Sequence, residues 1–427
     1  MSALRLVFST LAVCTSIFAS ASPLPNNSGM SRLPSGAEAG DQALSPFYAW
    51  NAALPKGPGV MLRTEPMTAQ PEFTQASEMK RILYTSTDAR WGSGVIPVSG
   101  TLYLPKGVMP SGGWPILAWG HGTLGVADQC APSWKLHRPR DASYLNRWLE
   151  QGFAVVATDY QGLGGPGPHP YLFWEAEGRS ILDSVRAALA AYPDRLANQI
   201  VVSGQSQGSG SSLGASRVAP TYAPDLHLVA TIATGIVPSF PQNGSNVWRL
   251  TEHLGPRFTM LRLVGGAIPD NGIPASNLVT PKGQALLEMA SKTCVDELRG
   301  AEQQLGITAE NAFTMDAAAL QAKLTPSTDM TAVRLPAPLF LGTGLSDRSV
   351  PPKHQHAVAV ALCSAGNPLT WRTYHGTTHN GIVNAAFNDE LAFVRQAIAG
   401  TPTASNCGAI VAPGEPEKPT EGVLFND

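Results

Sequence analysis

Apolar and polar positions alternate along two early stretches, Met79 to Thr85 and Val95 to Leu104, on either side of Gly92-Ser93-Gly94. Period-two alternation across a Gly-rich turn predicts antiparallel strands at a sheet edge. The pattern then changes. Trp114 to Trp119, Phe153 to Thr158, Ile200 to Val202, Leu226 to Ala233 and Ala337 to Gly342 are short, nearly continuous apolar runs, as expected of parallel strands covered on both faces. Thr370 to Tyr374 reads as the last strand. Between these runs, Tyr144 to Gln151 suits a helix, and Glu175 to Tyr192 places apolar residues at 181, 182, 185, 188, 189 and 192 before Pro193 stops it. Asp389 to Ala399 predicts a closing helix. Strands alternating with helices at this spacing specify an α/β fold with a mostly parallel, doubly wound sheet. One connection breaks the rhythm. About a hundred residues, 236–334, separate two strands expected to be neighbours, too many for a loop. Ser245 to His253, Lys282 to Arg299 and Met315 to Lys323 have helical spacing, so an inserted helical cap is expected.

The remaining segments complete a domain plan. Residues 1–21 have an early arginine, an apolar core from Leu6 to Phe18 and a small-x-small end at Ala19-Ser20-Ala21, which is the pattern of a secretory signal peptide. Residues 22–78 read as an N-terminal arm, 79–235 and 335–412 as the core, 236–334 as the cap, and 413–427 as a flexible tail rich in Pro and Glu. No stretch is long and apolar enough for a transmembrane span. The net charge of −2 and 14% charged residues leave no basic patch for nucleic acid. Beyond the leader, Cys130, Cys294, Cys363 and Cys407 are an even set in a chain bound for an oxidising compartment. Four cysteines allow three pairings. We expect Cys363 with Cys407, whose separation suits pinning the C-terminal region to the core, leaving Cys130 with Cys294 to tie the cap to the core.

The candidate chemistry begins after Ile200 to Val202, where Gly204-Gln205-Ser206-Gln207-Gly208 turns sharply into small residues suited to a close-packed helix. A strand, a G-x-S-x-G turn and a helix make a nucleophile elbow, whose glycines are needed because side chains there would strike the neighbouring strand and helix. Gly210-Ser211-Ser212-Leu213-Gly214 also fits the pattern, but no strand precedes it, so Ser206 is the candidate and Ser212 is not. A serine needs a base and an acid to orient that base. Asp347 directly follows the strand around Leu339 to Leu341, and His379 follows the last strand, in the order acid then histidine. The competitors are Asp159, which precedes the serine and suits a loop-stabilising role, and His375, which lies close to its strand end. His354 and His356 form an H-x-H pair without a third ligand at a recognisable spacing and read as exposed helix-start residues. An oxyanion hole takes one donor from the residue after the nucleophile, here Gln207. The second comes from His121-Gly122-Thr123-Leu124-Gly125, through Thr123 or Leu124, with His121 bonding loop backbone.

These residues together resemble the secretory lipase family, the lipase-A type of α/β-hydrolase with a large helical cap. The resemblance covers residues 80–400 and rests on five features: His121-Gly122-Thr123, Asp159-Tyr160 with Gly162 and Gly164, Gly204-x-Ser206-Gln207-Gly208, Gly344-x-x-Asp347 before Val350-Pro351, and Tyr374-x-Gly376-x-x-His379. It implies carboxylic-ester hydrolysis, of triacylglycerols or other acyl esters, by a triad of Ser206, Asp347 and His379, with disulfides, secretion and transient contact with a lipid interface. No cofactor or metal is implied. Gln205 departs from the family where an aromatic residue is frequent, and Ser209 where a further Gly is. The alternatives are an esterase for small soluble esters, a serine peptidase on the same fold, and a non-catalytic binding protein. Ten apolar cap residues (Val247, Trp248, Leu250, Leu254, Phe258, Met260, Leu261, Leu263, Val264 and Ile268) are expected chiefly to form the cap's core, with some facing the site.

Overall fold

The computed structural model describes residues 39–67, 70–90, 94–237, 254–265, 274–324 and 333–426. The expected leader, the helical stretch Ser245 to His253, and Val247, Trp248, Leu250 and Ile268 of the cap lie outside the described residues. Nine strands form one sheet: β1 (Met61–Pro66), β2 (Ala76–Thr87), β3 (Val95–Pro105), β4 (Trp114–Gly120), β5 (Ala154–Thr158), β6 (Leu196–Gln205), β7 (Leu228–Thr234), β8 (Leu339–Gly344) and β9 (Leu369–Tyr374). Their order is β1-β2-β3-β5-β4-β6-β7-β8-β9. The pairs β1/β2, β2/β3 and β3/β5 are antiparallel, and the six strands from β5 to β9 pair in parallel.

The longer helices are α1 (Pro139–Glu150), α2 (Trp174–Ala191), α3 (Gln207–Tyr222), α4 (Pro256–Val264), α5 (Pro281–Ala290), α6 (Val295–Gln304), α7 (Ala317–Lys323), α8 (Pro352–Ser364) and α9 (Phe387–Ile398). Helices cover both faces. Val155 and Ala157 of β5 pack on Leu145 and Trp148 of α1 and share a core with Phe387 and Val394 of α9. The alternate residues Ala154 and Val156 face Ile181, Val185 and Ala215 of α2 and α3. A strand loaded on both faces needs apolar residues at every position, which is why β5 reads as an unbroken run.

The cap has its own apolar centre, in which Met260, Leu261 and Leu263 are buried with Leu286 and Leu298 and continuous with Tyr171 to Trp174 beneath. Leu254, Phe258 and Val264 are partly buried against it. The stretch Lys282 to Arg299 is two helices rather than one. Between them Cys294 has extended backbone at the start of α6, pairs with Gly125 as a β-bridge and is disulfide-bonded to Cys130. Covalent and main-chain attachment to the core at one residue overrides a helical sequence pattern there. The second disulfide joins Cys363 to Cys407, so both are the expected pairs.

Two segments differ from their sequence reading. The arm contributes β1, an edge strand with only partial burial. With no position fully buried on either face, it has no apolar alternation to detect. The tail, expected to be flexible, is held by backbone and side-chain bonds. Glu417 donates its N–H to the Leu345 carbonyl at 2.8 Å, Thr420 donates to the Gly376 carbonyl at 2.8 Å, and Asn426 joins both sides of the same loop. No described helix is long and apolar enough to cross a membrane.

Candidate active site

The site assembles at the C-terminal ends of the parallel strands. Strand β6 runs into Ser206, whose backbone is left-handed at φ 57° and ψ −118°, and α3 begins at the next residue. Such a conformation costs a non-glycine residue roughly 1–3 kcal/mol. Two bonds offset it: Ser206 N–H donates to the Thr234 carbonyl at 3.0 Å, and Ser209 N–H donates to the Ser206 carbonyl at 3.0 Å. The flanking glycines are forced. A Cβ on Gly204 would overlap the Gly208 carbonyl, and one on Gly208 would overlap the carbonyl of Gly120 at the end of β4. Ser212 is buried inside α3, donating to the Ser209 and Ile232 carbonyls at 2.9 and 3.1 Å.

Strands β8 and β9 deliver the other two residues. Asp347 is fully buried and its carboxylate is saturated with donors. Ser349 N–H at 2.9 Å and Val350 N–H at 2.8 Å reach Oδ1, while Gln355 Nε2 at 2.8 Å and His379 Nδ1 at 2.7 Å reach Oδ2. Because the carboxylate accepts, the His379 proton sits on Nδ1 and Nε2 keeps its lone pair. The His379 ring lies against Gly235, where a Cβ would come within 3.0 Å of Nδ1 and Cε1. Gly235 follows Thr234, to which Ser206 is bonded. The serine backbone and the imidazole thus both lie against the end of β7.

The competing residues are placed elsewhere. The His375 side chain is 85% exposed and pairs with Glu417 at 2.8 Å. Asp159 is buried in a loop network, accepting from Ser99 Oγ at 2.6 Å and Ser133 N–H at 3.0 Å, and burial pushes its carboxyl up to about 6. His121 is buried and its Nδ1 donates to the Gly122 carbonyl at 2.7 Å. His354 and His356 depart from their reading as exposed residues. His354 on α8 is 8% exposed, and the His356 ring packs 5.3 Å from Trp371, because this first turn of α8 leans on the sheet. Among the described residues no group of three or more His, Cys, Asp or Glu could hold a metal ion.

Gln207 starts α3, so its backbone N–H has no acceptor within the helix. Thr123 sits after β4 with its hydroxyl 2.8 Å from the Tyr171 hydroxyl. Sequence reasoning missed what supports this arrangement. Gln205, noted only as a departure from the family, is buried, and its Nε2 donates to the His379 carbonyl at 3.0 Å. Its Oε1 lies beside Gly122, where a Cβ would approach to 2.8 Å. One side chain therefore spans the loop of the candidate base and the loop of the candidate oxyanion donor. The buried Glu177 was also missed. Its signal was a carboxylate one turn before Ile181, on the stripe that Val185 and Ala188 continue.

A parallel-centred sheet, a strained serine between β6 and α3, and a buried acid–histidine pair after β8 and β9 define an α/β-hydrolase. The sequence model of the family described as secretory lipase matches residues 137–406, and the chain belongs to that family. Membership makes it a carboxylic-ester hydrolase of a secreted class. Among relatives, the secreted triacylglycerol lipase LIP7 of Malassezia globosa is 24% identical over 438 residues, covering 94% of this chain and 88% of that protein. Among solved structures, the closed state of Candida antarctica lipase A superposes with a TM-score of 0.64 at 17% identity, covering 94% of each chain. The rice cell wall degrading esterase LipA of Xanthomonas oryzae gives 0.59 at 19%, over 80% of this chain and 97% of its own. At these identities the structures speak for the fold alone.

Proposed function

We propose that this protein hydrolyses acyl esters through an acyl-enzyme, with Ser206 as nucleophile, His379 as general base and then acid, and Asp347 as the group that orients His379. The observation that carries this is the 2.7 Å bond from His379 Nδ1 to a fully buried Asp347, which leaves Nε2 free to take the serine proton. Attack by Ser206 Oγ on the ester carbonyl gives a tetrahedral oxyanion. The Gln207 N–H and the Thr123 loop are the donors for it. His379 then gives the proton to the departing alcohol, and water, activated by the same imidazole, releases the acid.

Triacylglycerols and other neutral acyl esters are the proposed substrates. The apolar cap centre that runs down to Tyr171 to Trp174 supports this reading, since each methylene buried contributes up to ~0.8 kcal/mol. Ser206→Ala tests the chemistry: it should abolish turnover of p-nitrophenyl esters and labelling by a fluorophosphonate, and turnover near wild type would sink the assignment. A series of acyl lengths, run below and above substrate solubility, tests the substrate. Preference for medium or long chains with a jump in rate on emulsions is expected. Strict preference for acetate without that jump would make the enzyme a small-ester esterase.

A further inference from the structure

The segment joining β5 to α2 touches both candidate oxyanion residues at once. The buried Tyr171 hydroxyl lies 2.8 Å from Thr123 Oγ1. Six residues on, Glu177 Oε1 accepts from Gln207 Nε2 at 2.9 Å, and Oε2 accepts from Ser211 Oγ. His169 completes the set. Its Nδ1 faces the Gln161 carbonyl at 2.9 Å, an acceptor only, so Nδ1 carries the proton and Nε2 accepts from Gln207 Nε2 at 2.9 Å. The Gln207 amide nitrogen thus spends its two hydrogens on one glutamate and one histidine, both fully buried. Glu177 also accepts from Leu172 N–H at 2.9 Å, holding that residue in a left-handed conformation at φ 66°. The segment is therefore a braced unit.

A buried carboxylate is an expensive way to fill space. Among the described residues no lysine or arginine pairs with Glu177, and apolar residues of similar size usually serve a core as well or better. What the carboxylate does here is aim at the residue after the nucleophile. Burial raises its carboxyl to about 7 and lowers His169 to about 3, which keeps His169 the neutral acceptor that Gln207 requires. The cap rests on the same unit. Gly265, at the end of α4, packs so closely that a Cβ would come within 2.6 Å of the His169 carbonyl.

We propose that the segment from His169 to Glu177 is a clamp on the oxyanion hole, in which Tyr171 and Glu177 are positioning residues that act through Thr123 and Gln207. It rests on the ester-hydrolase reading above. An oxyanion donor matters only where charge develops, so loosening one lowers kcat and leaves ground-state binding in place.

The experiment compares Tyr171→Phe, Glu177→Gln, Thr123→Val and the Tyr171→Phe/Thr123→Val pair on p-nitrophenyl esters, with a trifluoromethyl ketone as transition-state analogue and thermal melting beside it. Tyr171→Phe and Glu177→Gln should each lower kcat about ten-fold with KM within about two-fold, and weaken the ketone by the same factor as kcat/KM. The pair should lose no more than its worse member, since both changes break one contact. Wild-type kcat and ketone affinity in both Tyr171→Phe and Glu177→Gln, whatever their melting temperatures, would overturn the clamp while leaving the ester-hydrolase reading intact. That reading fails separately, if Ser206→Ala still turns over. Should Glu177→Gln not fold, Tyr171→Phe decides, because it deletes a single oxygen.

Discussion

Gln205 is the residue whose side chain has most to do for its size. It reaches from the elbow strand to the His379 carbonyl and sits beside Gly122. Gln205→Leu keeps the volume but leaves that carbonyl without its donor, a cost of roughly 1–3 kcal/mol for a buried group. We expect kcat to fall about ten-fold, with stability reduced by that amount, measured by steady-state kinetics and denaturant melts. An unchanged kcat would make the contact structural only. Asp347 differs in kind. Four donors converge on it, so Asp347→Asn turns acceptance into a clash of donors and sets the imidazole in the wrong tautomer. A loss of roughly 10⁴-fold in kcat is expected, on the scale of the same change in serine proteases.

Among the elements, the loop carrying His379 depends on a strap that crosses it from outside the sheet. Asn426 Oδ1 accepts from Thr378 N–H at 2.6 Å, and its Nδ2 donates to the Gly376 carbonyl at 2.8 Å. Glu417 accepts from Gly376 N–H at 2.8 Å. Asn426→Ala should lower kcat several-fold, while Glu415→Ala, whose exposed side chain pairs with Lys353, should match wild type. Equal activity in both would show that the loop holds itself. Nothing in the sequence announced this strap. Main-chain bonds to a neighbouring loop need no side-chain period, so residues 413–426 read like any Pro- and Glu-containing tail. The elbow was legible for the opposite reason. Its glycines are compelled by carbonyls of β4 and α3, and compulsion leaves a pattern. Asp347 and His379 were legible through their places after successive strands, whereas Tyr171 and Glu177 had only a misplaced carboxylate to betray them.

For the whole molecule, buried ionisable groups set a pH profile. Burial raises Glu390 to about 8, Glu177 to about 7 and Asp128 to about 7. Each is raised above its unfolded value, so the native state holds more protons than the unfolded chain. Their stabilisation is complete below the unfolded pKa and disappears as pH rises through the folded one. His169 and His137, lowered to about 3 and about 4 by burial, work in the reverse sense and are lost as pH falls below 6.5. From pH 6.5 to 8 the carboxyls outweigh the histidines, whose protonation in the unfolded chain fades over the same range, and melting temperature should decline. Glu390 lies on α9, with the Tyr144 hydroxyl donating to it at 2.8 Å. Glu390→Gln should flatten the decline, measured by calorimetry across that range. An identical slope would remove Glu390 from the account.

Besides its two chain connections, the cap is joined to the core by a disulfide. Cys294 is bonded to Cys130 and bridged to Gly125, and Val295 N–H donates to the Leu124 carbonyl at 2.8 Å, two residues past Gly122 and next to Thr123. An insertion tied there as well as at its chain ends cannot lift away at that corner. Any movement of the cap is therefore held small beside Thr123. The wall next to the Thr123 loop is the part of the cap least able to open to water, whatever path an acyl chain takes.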